Sequence, residues 1–493
     1  MKTLRNLLSD IGQHSLEGPA DITITSVEAD SRRVAPGSLF VALRGTAVDG
    51  HRFIPMAIAA GAAAIVCAAD YSLPADCAGG EAAIVRVPDT AEALGRLASA
   101  WHGHPSRRLT LVGVTGTNGK TTIATLLYDM ARRAGLRAGL LSTVVNRVAD
   151  RAVASTHTTP DPLELNALLA EMVAEGCTFA AMEVSSHACA QRRIAGLRFA
   201  GGVFTNLTRD HLDYHRTFQA YLEAKKMFFD ALPAGAWALV NTDDTHARIL
   251  VQNTRARVYT YGLRGEADFR ADVVEDRIDG MLLHIDGEEL HTPFAGRFNA
   301  SNLLAVYGAS RLLGTERDEA LRALSALRPV AGRFQTMHGA GITAIVDYAH
   351  TPDALANVLD TIREAAGPDT DVITVCGCGG DRDHGKRPIM AAEAARRSSL
   401  LIITADNPRS EDPQAIADDM LAGLDEDARN ACEVELDRAA AIRRAVMAAE
   451  QGGVVLVAGK GHEDYQIIGS ERRHFDDCEQ VADALAQRSN SLK

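Results

Sequence analysis

The chain has few aromatic residues. They make up 5% of its 493 positions, with two tryptophans. No apolar run approaches the roughly 18 residues that would span a bilayer. The opening stretch MKTLRNLLSDIGQH has neither a long apolar segment nor a small-residue cleavage site, so no secretory leader is expected. Cysteines are sparse and scattered: Cys67, Cys77, Cys177, Cys189, Cys376, Cys378, Cys432 and Cys478. Only Cys376-Gly377-Cys378 is closely spaced, and no second pair completes a zinc site, so these are read as small residues in a tight strand-to-loop turn. A reduced, cytoplasmic setting is the expectation. Basic charge is also short, with 51 Lys and Arg against 64 Asp and Glu, a formal charge of −13. That argues against a general nucleic-acid or anionic-membrane binder. An anionic ligand must be met by a local site.

The length exceeds one ordinary core, and two to four domains are expected. In the first hundred residues, SLFVALRG (38–45), AAIVCA (63–68) and AAIVRV (82–87) read as strands. HRFIPMAIAAGA (51–62) and AEALGRLASAWHGHP (91–105) read as helices. HGHPSRR then forms a polar break. A second alternation follows: the strand LTLVGVTG (109–116), the helix TTIATLLYDMARRAG (121–135), the buried strands FAAMEVSS (179–186) and GGVFTNL (201–207), and the helix FNASNLLAVYGASRLLG (298–314). RPVAGRF near 328–334 is a second break. Beyond it, AIVDYA (344–349), DVITVCGCGG (371–380), LLIITADNP (400–408) and VVLVAGKG (454–461) read as strands between alanine-rich helices. The expected class is α/β with three doubly wound domains in series. These are a small N-terminal α/β unit (1–104), a central P-loop ATPase-type parallel sheet (105–331) and a C-terminal Rossmann-like unit (332–493).

VGVTGTNGKTT, from Val112 to Thr122, fails the strict phosphate-loop pattern, because Val114 stands where that pattern has glycine. Its physics is nevertheless that of an anion cradle. A strand enters a glycine turn and leaves into a helix, so backbone N–H groups and the positive helix end face one point. Gly116 and Gly119 permit close approach, Lys120 suits the outer phosphates, and Thr121 offers a hydroxyl to Mg²⁺. Nucleotide binding follows; the reaction does not.

The fuller string Gly113 to Thr122, G-x-x-G-T-N-G-K-T-T, resembles the ATP loop of the Mur ligases, which assemble the peptide stem of bacterial cell-wall precursors. Folylpolyglutamate synthases carry a similar loop. MEVSSH (182–187), FTNLTRDHLDYH (204–215), YLEAKK (221–226), GRFN (296–299), AGRF (331–334) and DYAHTPD (347–353) are similar to Mur ligase blocks in the family's order. TTPD (158–161), GCGGDRDHGKRP (377–388), DNPR (406–409) and GKGHEDYQ (459–466) resemble its diaminopimelate-adding members. The resemblance runs from about residue 26 to 476. It implies an ADP-forming acid–amino-acid ligase of peptidoglycan synthesis, serving cell-wall biogenesis, cell shape and division. ATP and Mg²⁺ would be the cofactors. UDP-N-acetylmuramoyl-L-alanyl-D-glutamate and meso-2,6-diaminopimelate would be the partners, in a monomer that engages neither nucleic acid nor membrane.

By the same resemblance, the nucleotide is held by Gly116, Thr117, Asn118, Gly119, Lys120, Thr121, Thr122, Asn299, Asn302, Arg333, Asp347 and His350. Asp347 and His350 lie beyond the second break, which implies that ATP is gripped across a domain boundary and that closure accompanies turnover. Lys120, Glu183, His211 and Lys225 are the implied catalytic set, and Thr121, Glu183, His211 and Lys225 the implied metal ligands. Glu183 ends an apolar strand, where a carboxylate suits Mg²⁺. Periodicity in YLEAKKMFF offers only an amphipathic helix with solvated lysines. The resemblance makes Lys225, rather than Lys226, an N6-carboxylysine whose carbamate holds a second Mg²⁺.

For the sugar nucleotide, Ser31 and the loop after Gly45 match the uridine end, and Thr158, Thr159, Ser185, Gln191 and Arg193 the muramyl-peptide contacts. His187, Arg192 and Arg193 add positive charge. For the amino acid, the implied residues are Arg382, Asp406, Asn407, Pro408, Arg409, Gly459 and Glu463. Arg409 presents a rigid fork to a distal carboxylate, Arg382 serves a carboxylate and Glu463 an ammonium. DNPR also reads as a helix N-terminal turn with Pro408 first. Folylpolyglutamate synthase would place G-K-G-S in the loop and lack the DNPR arginine. A kinase or motor ATPase would want a strict loop, and a scaffold could lose Lys120, Glu183 or Lys225.

Overall fold

Short β-branched runs bounded by glycine, proline and helix caps set the framework, and the computed structural model shows how they pair. It describes residues 2–491 except 46–47, 75–76, 78–79, 156 and 368. The first two residues of the loop after Gly45 thus lie outside the described set. The architecture is α/β, built on three large successive sheets with two two-stranded ribbons, Lys2–Thr3 with Thr23–Ile24 and Tyr465–Ile468 with Glu471–His474, beside them among the described residues. The first orders its strands Ser15–Glu17, Ala83–Val87, Ala64–Ala68, Ser38–Val41 and Ser26–Glu28, parallel except for the outermost Ser15–Glu17. The helix Thr90–Trp101, capped by Asp89, packs Leu94 and Leu97 against it.

The middle sheet has eleven strands. Seven run parallel, in the order Ala138–Leu141, Phe179–Glu183, Thr110–Thr115, Gly201–Phe204, Trp237–Asn241, Arg257–Gly262 and Phe269–Arg277. Both faces of the central strands are covered, which is why Thr110–Thr115, Phe179–Glu183 and Gly201–Phe204 are largely apolar. On one face lie the helices Lys120–Arg133 and Arg297–Leu312; on the other, Pro162–Ala174 and Phe218–Asp230. Phe269–Arg277, Gly280–Ile285 and Glu288–Thr292 extend the sheet as an antiparallel meander that was not expected. The burial of Gly280–Ile285 alternates residue by residue, as one-sided strands do, and such short half-polar runs give weak signals. The third sheet orders Gln335–Gly339, Ile342–Asp347, Val454–Ala458, Val372–Cys376, Leu400–Ile403 and Cys432–Val434, with only the first strand antiparallel.

Two local expectations are corrected. FAAMEVSS does not continue as strand to Ser186: the strand stops at Glu183, and Ser185 caps a short helix, Ser186–Ala190, by accepting from Ala188 N. DNPR does not open a helix at Pro408, because the next helix begins at Pro413 under an Asp412 cap. Cys376 and Cys378 are buried at the end of their strand, and burial pushes the Cys378 thiol up to about 12. The intervening Gly377 has no room for a Cβ, which would fall on Thr404 O. That is the tight turn expected of small residues.

Candidate functional site

Parallel strands deliver their C-terminal ends to one edge, and here that edge faces the strand ends of the third sheet. Between them lies a cavity of about 1500 Å³. Its walls include the nucleotide loop from Thr117 to Thr122, Glu183, His211, Lys225, Asn299, Asn302, Arg333, Asp347 and His350. At its far end are Arg382, Asp406, Asn407, Arg409, Gly459 and Glu463. Segments more than 300 residues apart in the chain thus line one space.

The loop is tightly built. Gly116 sits at φ +149°, and a Cβ there would fall on Thr205 Oγ1; at Gly119, φ +84°, it would lie 2.5 Å from Asn302 Oδ1. Thr117 N donates to Asn206 O at 2.8 Å, and Asn118 N to Asn206 Oδ1 at 2.9 Å. Lys120 Nζ curls back onto the carbonyls of Thr117 at 2.7 Å and Gly116 at 3.0 Å. The Lys225 ammonium nitrogen reaches the same Gly116 carbonyl at 2.6 Å and is 1% exposed. This corrects the expectation of solvated lysines in YLEAKK. Lys226 instead pairs with Asp230 at 2.7 Å. Burial, and then the neighbouring Lys120, holds the Lys225 amine well below the ordinary lysine range. Burial lowers Lys120 as well. Two crowded amines leave the cradle short of negative charge.

Glu183 projects from the strand beside the loop, 1% exposed. Thr143 N donates to its Oε1 at 2.7 Å, whereas its buried Oε2 has no partner among the described residues. An orphaned carboxylate oxygen beside a phosphate cradle fits a hard cation. His211 stands at φ +54°, 3.3 Å from Asp210, and burial lowers its imidazole to about 3, so the ring is held neutral. No cluster of three or more His, Cys, Asp or Glu forms a metal site among the described residues. A divalent ion would therefore need phosphate oxygens, the Thr121 hydroxyl and an anionic Lys225 alongside Glu183.

From the third unit, Arg333 Nη2 donates to Thr121 Oγ1 at 3.0 Å, and its guanidinium lies 4.5 Å over the Tyr348 ring. Its buried Nε has no partner among the described residues. Asp347 accepts from Phe334 N at 2.6 Å, and burial raises its carboxyl. His350 Nδ1 faces Tyr348 O at 2.8 Å, and burial lowers it. Asn302 Nδ2 donates to Asn299 Oδ1 at 3.3 Å, and both are buried at the start of their helix.

The expected muramyl-peptide contacts form one network. Thr159 Oγ1 donates to Glu183 O at 2.8 Å and accepts from Ser185 N at 3.1 Å. Thr143 donates to Thr158 at 3.0 Å. Arg193 donates to Gln191 Oε1 at 2.7 Å and to Thr159 O at 2.7 Å. Two positions depart from the expectation. Arg192 turns away to Asp89 of the first unit at 3.4 Å, and burial keeps His187 below the usual histidine range, so only Arg193 brings charge here. Ser31, in the turn Ser31–Arg33, is not among the residues lining the cavity.

At the far end, Arg409 adopts φ +52°, its backbone clamped between Ile467 O at 3.1 Å and Gly469 N at 2.7 Å. Its Nη1 donates to Gly380 O at 2.7 Å. Pro408 O accepts from Glu411 N at 3.0 Å, closing the turn behind it. Asn407 Nδ2 donates to Glu463 Oε2 at 2.8 Å, and burial together with Asp406 raises the Glu463 carboxyl. Gly459, at φ +117°, has no room for a Cβ, which would fall on Asp406 Oδ2. Arg382 is exposed and donates to Asp381 O at 3.4 Å. Residues missed in the sequence include Tyr348, Lys386 (Nζ to His350 O, 2.8 Å), Asp353 (accepting from Asn118 at 3.2 Å) and Lys460. Each lies within or beside a quoted block, yet nothing in local pattern marks Tyr348, Lys386 and Asp353 as lining the cavity or Lys460 as buried behind it.

Comparison with known proteins fits this geometry. Residues 23–102 match the Mur ligase family catalytic domain, 114–310 the Mur ligase middle domain, and 332–461 the Mur ligase glutamate ligase domain. A Bacteroides fragilis protein named UDP-N-acetylmuramoyl-L-alanyl-D-glutamate–2,6-diaminopimelate ligase is 54% identical over 97% of this chain and 98% of its own. A solved structure of an enzyme of that name superposes with TM-score 0.68 at 31% identity, covering 99% of both chains. A Thermotoga maritima folylpolyglutamate synthase shares the fold at 15% identity, TM-score 0.57, over 75% of this chain and 90% of its own. With all three segments present in order and near-complete coverage on both sides, the chain belongs to the Mur ligase family.

Proposed function

We propose that the chain is the ADP-forming ligase that joins meso-2,6-diaminopimelate to UDP-N-acetylmuramoyl-L-alanyl-D-glutamate, a step of peptidoglycan precursor synthesis. The observation that carries this reading is the Arg409 guanidinium lining the same cavity as the nucleotide loop, beside Glu463, Asp406 and Asn407. A fixed cation next to buried carboxylates suits an amino acid bearing both an ammonium and a second, distal carboxylate. The side-chain ammonium of lysine would be repelled there.

A carboxylate is a poor acyl donor because its oxide leaves badly. Its oxygen attacks the γ-phosphorus of ATP and ADP leaves. The amine then attacks the acyl phosphate, loses a proton, and the former carboxylate oxygen departs with phosphate. Lys120, the loop N–H groups and Arg333 are suited to the transferring charge, and Asn299 and Asn302 to the base side of the nucleotide. Thr121, Glu183, His211 and a carbamylated Lys225 would hold Mg²⁺, which when bound supplies charge neutralisation at the phosphates. The Lys225 amine, buried and held low, is chemically suited to capture CO₂. Arg193, Thr158, Thr159, Ser185 and Gln191 would receive the muramyl dipeptide, and Ser31 the uridine end.

The proposed division is 1–104, 105–331 and 332–493, in a monomer of the cytoplasm that uses neither nucleic acid nor membrane. Among the described residues, no helix is long and apolar enough to cross a membrane. Folylpolyglutamate synthase shares the fold only distantly, and its G-K-G-S loop is absent here. Phosphate release should be measured with ATP, the sugar nucleotide and each amino acid in turn. Release with diaminopimelate and not with lysine supports the proposal; equal turnover of the two defeats it. In bicarbonate buffer, the intact native mass should carry one CO₂ that Lys225→Met abolishes.

A further inference from the structure

Lys460 is a fully buried ammonium at the turn after strand Val454–Ala458, with 0% of its surface exposed. Its Nζ donates to Asn407 Oδ1 at 3.2 Å and lies 3.5 Å from Glu463 Oε2 and 3.8 Å from Asp406 Oδ1. The Tyr465 ring sits 5.5 Å beneath it. A single cation therefore stands at the centre of three groups that the amino-acid pocket needs, and the closest of them, Asn407, also ties back to Glu463. We propose that Lys460 is a positioning and specificity-determining residue, whose ammonium keeps Asp406, Asn407 and Glu463 assembled as an anionic receptor for the incoming amino acid's ammonium. This rests on reading that end of the cavity as the amino-acid pocket.

Charge arithmetic explains the arrangement. Two carboxylates and one lysine leave one net negative charge, the complement of one substrate ammonium; Arg438, which faces Asp406, is neutralised by Asp477 at 2.7 Å, and Arg409 is left for the distal carboxylate. Without the lysine, two carboxylates in a partly dehydrated pocket repel, and the more deeply desolvated takes up a proton. Glu463 is already raised by burial and by Asp406, with Lys460 acting in the opposite direction. The other groups facing Glu463 are Asn407, the Tyr348 hydroxyl at 3.4 Å and Tyr465. Arg333 bears on Tyr348, and Arg472 and Arg409 bear on Tyr465. None of these arginines is recorded within ion-pairing distance of Glu463, so Lys460 is its direct counter-ion among the described residues. A lysine retained only to fill space would be replaceable by methionine at little cost.

The test uses the full enzyme and the variants Lys460→Met, Lys460→Gln, Lys460→Arg and Glu463→Gln. Folding is checked by circular dichroism, and the pH dependence of kcat/KM for diaminopimelate is recorded. Binding needs Glu463 ionised, so kcat/KM falls as pH drops through the Glu463 pKa. Removing the lysine raises that pKa. In Lys460→Met or Lys460→Gln the acid limb should therefore move to higher pH by about one unit. KM for diaminopimelate should rise at least about tenfold at neutral pH, with KM for ATP within about twofold. Lys460→Arg should hold the limb near its original position. An unmoved limb in whichever neutral variant folds overturns the inference, as does a shift in Lys460→Arg as large as in the neutral variants. Failure of both neutral variants to fold assigns Lys460 to stability and equally overturns it. Glu463→Gln separates the two readings: if it leaves KM for diaminopimelate unchanged, the pocket assignment itself fails, whatever Lys460 does.

Discussion

Arg409→Met isolates the contact on which amino-acid selection depends. The arginine spends one N–H on Gly380 O at 2.7 Å, and among the described residues four of the five guanidinium donors remain for a ligand. Methionine keeps much of the stem and removes only the charged fork. The backbone penalty at φ +52° is common to both residues and cancels, and the clamp by Ile467 and Gly469 is made through main-chain atoms. A hydrogen bond to a charged group contributes about 1.5–3 kcal/mol net. At about 1.4 kcal/mol per decade, KM for diaminopimelate should rise roughly 10- to 150-fold. KM for ATP should stay within about twofold, because the nucleotide cradle is held by the loop and Arg333. Arg409→Lys should fall between, since it retains the charge without the planar fork. The assay is phosphate release at saturating sugar nucleotide, with diaminopimelate and lysine compared. Equal rises in both KM values, or an unchanged preference for diaminopimelate over lysine, would refute the assignment.

Three further outcomes are expected. Glu183→Gln keeps the shape but removes the orphaned anionic oxygen; kcat should fall by about a hundredfold or more with the melting temperature retained, and an unchanged kcat with an unchanged Mg²⁺ requirement would count against a metal role. Gly116→Ala forces a Cβ onto Thr205 Oγ1 at φ +149°, so nucleotide affinity by calorimetry and stability should both drop, the latter by about 1–3 kcal/mol; a fully active, equally stable variant would show that the loop relaxes freely. Asp477→Asn strands the Arg438 guanidinium, whose pair with Asp477 at 2.7 Å is fully buried, and should cost about 3–5 kcal/mol in denaturant unfolding; a loss under about 1 kcal/mol would mean that water reaches the pair.

Much of the framework was legible because covered parallel strands are apolar throughout: Val372–Cys376 and Val454–Ala458 stand out in any window. The meander from Phe269 to Thr292 was not, since one face of each strand stays polar and the runs look like loop. Caps also mattered. Ser185 stops the strand that FAAMEVSS suggested, because its hydroxyl satisfies a helix N–H instead of continuing the ladder. Arg192 and Arg193 are adjacent in sequence, yet one pairs with Asp89 and the other with Gln191 and Thr159, because neighbouring side chains leave a turn in different directions.

By itself the sequence determined the nucleotide loop, the alternation of strands and helices, and the family blocks in order, because each is written in contiguous residue types. Only the tertiary structure decided that Lys225 and Lys460 are stripped of water while Lys226, buried beside Lys225, pairs with Asp230. Only it decided that Arg333 reaches Thr121 and that Arg409 shares a cavity with Lys120. Burial and proximity are properties of packed elements, and local pattern cannot specify which charges the closing of two sheets against each other will strip of water.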